Sequence, residues 1–113
     1  MISHDHTVPK GMFGDIKRID ILRLIDKTNN LPISKIETDK LYSRVGQSRQ
    51  SGFSKQRLEK AEDFPILVTN TDTGLHILDG RHRIIKNKMQ NKETTDVRFV
   101  PLRIIEESVI ERY

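Results

Sequence analysis

The sequence predicts an α+β domain, a small mixed sheet flanked by helices with an added N-terminal helix. Three observations carry that expectation. Four short apolar runs, at 31–37, 66–69, 75–78 and 96–102, have the length and alternation of strands. Two longer segments, 15–27 and 81–91, space their apolar residues for one helix face. The 113 residues suffice for one core and fall short of two ordinary ones.

Residues 1–13 contain Pro9 and Gly11 without a sustained period and read as a flexible arm before a domain spanning 14–113. His4 and His6 lie in that arm with no third metal ligand at a recognisable spacing, so they read as a surface tail. From Asp15 to Lys27, Ile16, Ile19, Leu22 and Ile25 recur every third residue, which predicts an amphipathic helix stopped by Asn29 and Asn30. Leu31 to Glu37 reads as a strand with an irregular end.

Thr38 is placed to cap a short helix through Val45, followed by a polar, glycine-bounded loop over 46–52. Ser54 opens a further helix that Phe64-Pro65 stops. Ile66 to Thr69 and Leu75 to Leu78 are expected to pair antiparallel across the turn 70–74. Arg81 to about Asn91 follows as a helix with Ile85 and Met89 one turn apart and Ile84 alongside, then a strand over 96–102 and a last short helix within 104–113.

Composition narrows the function. Twenty basic against sixteen acidic residues leave a net charge of +4, a mild preference for anionic partners. The absence of cysteine excludes disulfides, thiolate metal sites and cysteine nucleophiles. No apolar run approaches the ~20 residues of a membrane span, and the first residues lack the basic and apolar regions of a signal peptide, so a cytoplasmic protein with no membrane partner is expected.

The most informative stretch is His76-Ile77-Leu78-Asp79-Gly80-Arg81-His82-Arg83, in which an apolar strand passes through glycine into a basic helix. The first turn of a helix holds backbone N–H groups without intrahelical partners and a partial positive charge, and glycine allows close approach of a ligand. Arginine grips phosphate oxygens with a fork of donors, and histidine adds a hydrogen bond or a charge. Residues on a helix diverge by ~100° per position, so Arg81 and Arg83 cannot both face the same ligand. Asp79 either caps the helix, orients an arginine or holds Mg²⁺. His76 reads as an exposed strand residue.

The order Pro65-Ile66-Leu67-Val68, a turn, Ile77-Leu78-Asp79-Gly80-Arg81-His82-Arg83 and a helix resembles the ParB/sulfiredoxin superfamily over roughly 31–102. The resemblance implies a ParB/sulfiredoxin-like fold and phosphate handling at this strand–helix corner. It further implies that Gly80, Arg81, His82 and Arg83 surround an oxyanion, with His82 and Arg83 favoured. Sulfiredoxins carry their reactive cysteine where this chain has Arg81, so sulfinic-acid reduction is excluded. The chain has no room for the separate DNA-binding and dimerisation domains of the segregation proteins. A kinase-like branch with an Asp-Gly-His-His-Arg type run implies Glu37 as a catalytic carboxylate at the end of the first strand.

The leading expectation is therefore a nucleotide-phosphate-binding domain taking ATP, ADP or CTP, acting as an NTPase or phosphotransferase. Its catalytic candidates are Glu37, Asp79 and His82, with Mg²⁺ accompanying the nucleotide and Asp79 as its ligand. Gln47 and Arg49 of the polar loop are candidates to contact the nucleotide or a nucleic acid. One alternative is a DNA- or RNA-backbone-binding or nuclease module that also uses Arg44, Lys55, Arg57, Lys86 and Lys88. Another is an inactive module that binds a protein partner.

Overall fold

The computed structural model describes residues 5–45, 65–72 and 74–113. The expected loop 46–52 with Gln47 and Arg49, the helix expected after Ser54 with Lys55 and Arg57, and His4 lie outside the described residues. Among those described, the order is β1 (Asp5–Thr7), β2 (Ile16–Asp20), α1 (Ile21–Thr28), β3 (Ser34–Glu37), α2 (Thr38–Tyr42), β4 (Ile66–Thr71), β5 (Gly74–Asp79), α3 (Arg81–Met89), β6 (Thr94–Phe99), α4 (Leu102–Glu107) and β7 (Val109–Arg112). None of the described helices is long and apolar enough to cross a membrane.

The strands form two sheets. The larger is mixed, in the order β3-β6-β4-β5, with β6 parallel to β4 and the other pairs antiparallel. The smaller is antiparallel, in the order β1-β2-β7. Alternation along β4 sends Ile66 and Val68 into one core and Leu67 into the other. Ile66 and Val68 pack with Leu41, Val45, Ile84 and Ile85, so α2 and α3 cover that face. Leu67 packs with Leu78, Ile16, Ile19, Leu24 and Ile105, so the small sheet with α1 and α4 covers the other.

Several sequence expectations are corrected here. Residues 5–8 are no loose arm: β1 pairs with β2, and Val8 is completely buried. The helix expected over 15–27 begins only at Ile21, its first part being β2. In a regular strand, residues three apart face opposite sides, but register irregularities between Ile16 and Ile19 leave both fully buried in one core. A bulged strand therefore mimics a helical period. Asp20 ends it and caps α1, accepting from the Arg23 N–H at 3.1 Å.

The tail is corrected as well. After the short α4, Val109–Arg112 returns as β7 against β2 instead of remaining helical. In α3, Ile84 and Ile85 are buried whereas Met89 is exposed, because the helix ends there and its last turn leaves the core. Asn29 keeps right-handed dihedrals, and the left-handed asparagine is Asn91, with φ 57°.

Candidate functional site

The β5–α3 corner has the expected order. Just before it, β5 sets three residues, Ile77, Leu78 and Asp79, against two of β4, Leu67 and Val68. Alternation sends Ile77 and Leu78 into different cores, and the bulge bends the strand before the corner. Gly80 follows with φ 110°, a conformation that L side chains rarely adopt, and starts α3. A Cβ there would lie 2.5 Å from Ile66 Cδ1 and 3.0 Å from Arg83 Nη2. The close approach that glycine permits is thus to its own protein's side chains.

Asp79 does not cap the helix. Its Oδ2 accepts from Arg83 Nη2 at 2.5 Å, one helical turn along, and the Arg83 side chain is only 14% exposed. The remaining Arg83 Nη1 points at the Pro65 carbonyl, 3.5 Å away. Arg81 turns elsewhere and donates from Nη2 to the Ile77 carbonyl at 2.8 Å. The two arginines diverge, as helical geometry requires. His82 is half-buried, with Nε2 shielded from solvent. The Ile84 N–H returns to the Gly80 carbonyl, so the amides of Arg81, His82 and Arg83 precede the first intrahelical bond.

Arg83 also forms a wall of a polar cavity of about 220 Å³. Its other walls are Lys35, Asn87, Lys92, Thr94, Thr95 and Asp96, all polar or charged. Lys35 pairs with Asp96 at 2.8 Å. Thr95 Oγ1 accepts from Asn87 Nδ2 at 3.1 Å and is 2.8 Å from Thr38 Oγ1. Sequence reading did not select Lys35, Asn87 or Lys92. The only available signal was Asn91-Lys92 at the end of a helix, where a left-handed asparagine fixes the direction of the next side chain.

Glu37 is exposed on β3 and pairs in register with Thr94. β3 and β5 are opposite edges of the sheet, separated by β6 and β4. Three strand spacings of ~4.8 Å put Glu37 about 14 Å across the sheet from Asp79. The two carboxylates therefore do not meet at one phosphate. No cluster of three or more potential metal ligands exists among the described residues, and Asp79 is engaged by Arg83.

Of the basic residues expected to line a nucleic-acid groove, Arg44, Lys86 and Lys88 are among the described residues. Lys88 pairs with Asp39 at 2.5 Å and lies 5.7 Å from the centre of the Tyr42 ring. Arg44 instead lies against Gly74 at the hairpin.

A contact that sequence reading missed flanks the corner on its other side. His76 Nε2 and His6 Nε2 are 2.9 Å apart, and the Phe13 ring meets His76 edge-on at 6.0 Å between centroids. Burial, and then the Arg81 cation, hold the His76 pKa below its ordinary value. Neither sequence separation nor periodicity could reveal a pair that forms only when two sheets pack together. No family model, curated protein or solved structure matches this chain.

Proposed function

We propose that this domain binds the phosphate of a nucleotide at the β5–α3 corner, with Arg83 as the principal anion contact. The observation that carries the reading is the Asp79–Arg83 arrangement. A largely buried guanidinium is held by a carboxylate beside the first-turn amides of α3, and it also borders a polar cavity. The first turn of a helix directs its amides and positive dipole end toward an oxyanion, and Arg83 adds charge. We assign His82, on the same turn, a second contact to that anion.

The order of β4, hairpin, β5, glycine and α3 agrees with the ParB/sulfiredoxin resemblance, and we read the mixed sheet with α2 and α3 as that fold. The reading is one of binding. Glu37 stands across the sheet from Asp79, so the corner alone lacks the free carboxylate that phosphotransfer would require. Mg²⁺ would enter on the nucleotide's own phosphates. Among the described residues the corner offers no carboxylate cluster to hold it.

Thermal unfolding against ATP, ADP, CTP and GTP tests this reading. A ligand at about 100 times its Kd stabilises the native state by about 2.7 kcal/mol. The expected result is a shift with one nucleotide that is lost in Arg83→Gln while the unliganded variant still unfolds cooperatively. An unchanged shift in that variant would remove Arg83 from the site. No response to any nucleotide, together with steeply salt-dependent binding to DNA or RNA, would replace this reading with backbone recognition.

A further inference from the structure

We infer that the polar cavity beside the corner is a second oxyanion site, able to take a phosphoryl group, with Lys92 as its principal charge. The inference extends the corner reading through their shared residue, Arg83, and locates a different group of atoms. All seven lining residues are polar or charged, so the cavity has nothing to offer an apolar ligand. Its volume of about 220 Å³ is ample for a small hydrated anion.

Charge bookkeeping selects Lys92. Arg83 is matched by Asp79, and Lys35 by Asp96. Lys92 has no carboxylate partner among the described residues. Lys35 is also available, because its pair with Asp96 is well exposed and weak, so Lys35 can turn to a second negative charge at little cost. With Asp96 and Asp79 counted, the surroundings keep one net positive charge, that of Lys92.

Backbone geometry holds Lys92 in place. Asn91 is left-handed at φ 57°, the Asn91 N–H donates to the Lys88 carbonyl at 3.1 Å, and the Lys92 N–H to the Asn87 carbonyl at 3.0 Å. This is a Schellman closure of α3. The closure also caps carbonyls that would otherwise present negative partial charge to an anion at a helix C-terminus. Thr95 is a wall and not a ligand, since Asn87 and Thr38 occupy its hydroxyl. Thr94 leaves its hydroxyl free among the described residues and is the neutral donor.

The test is an NMR titration of the whole chain with orthophosphate, following backbone amides and the Asn87 side-chain amide, in wild type and in Lys92→Gln. The expected result is saturable shifts at Asn87, Lys92 and Thr94, with affinity about tenfold lower in the variant. Shifts confined to the amides of 81–83 would overturn this inference and leave the corner reading standing. Shifts in neither place, with no nucleotide response, would overturn both. Equal affinity in Lys92→Gln would also overturn it. Titration with ADP then separates the sources: displacement of orthophosphate identifies the occupant as a nucleotide's terminal phosphoryl group, and simultaneous binding identifies it as free phosphate. Either outcome sustains the oxyanion site.

Discussion

His6 and His76 meet Nε2 to Nε2 at 2.9 Å, joining β1 of the small sheet to β5 at the edge of the large one. One ring must donate and the other accept, which two neutral imidazoles achieve in opposite tautomers. His6 is buried, and Arg81 already adds positive charge near His76.

Burial of His76, with Arg81 beside it, sets a pH dependence. The folded-state pKa of His76 lies below its ordinary value of 6.5, so the unfolded chain takes up the proton first as pH falls. Its contribution to stability is complete above that value and is lost below it. Melting curves recorded between about pH 8 and about pH 5 should show wild type losing more Tm than His76→Gln, which keeps a hydrogen-bonding group that does not titrate. Parallel curves for the two proteins would contradict this account.

Gly80→Ala should cost about 3 kcal/mol, combining the positive-φ penalty with overpacking against Ile66. Urea denaturation measures it. A loss under about 1 kcal/mol would mean that Ile66 moves aside freely.

Asp79→Asn separates stability from binding. Weakening the carboxylate's hold on Arg83 should lower stability by about 1–2 kcal/mol. The same change removes a negative charge that competes with phosphate for that guanidinium, so nucleotide affinity should rise. A fall in affinity would instead make Asp79 a direct ligand.

Asn91 offers a paired comparison. Glycine adopts its left-handed conformation without strain and should change stability by no more than about 0.5 kcal/mol. Valine should lose about 1–2 kcal/mol and weaken orthophosphate binding by displacing Lys92. Equal behaviour of the two variants would detach the Schellman closure from the cavity.

Asp20→Ala tests where α1 begins. Loss of the cap to the Arg23 amide should cost about 1 kcal/mol. Were the helix to start at Asp15, alanine would instead be neutral or favourable.

These residues also explain what was legible in the sequence. The β4–β5 hairpin, Gly80 and α3 could be read because each depends on local signals: alternation, a turn and a glycine before a helix. Ile16 and Ile19 misled because a bulge and a helix turn both bring residues three apart to one side. His6–His76 and the cavity could not be read, since Lys35, Asn87 and Lys92 come from separate elements that only the folded sheet brings together. Asp79 was legible as a cap, an arginine partner or a metal ligand, and only the corner's geometry chose the pairing with Arg83.

The pairing of β2 with β7 has a consequence for biosynthesis. Arg112 bonds to Asp15 across 97 positions, and the Tyr113 hydroxyl donates to the Val8 carbonyl across 105. A ribosome releases β2 long before it has made β7. During that interval Ile16, Ile19 and Leu24 have only part of their eventual core, and one edge of β2 is open to other chains. The nascent protein therefore passes through a stage at which its hairpin and corner can form while its first strands await their partner, and this is when it is most exposed to chaperones and to aggregation.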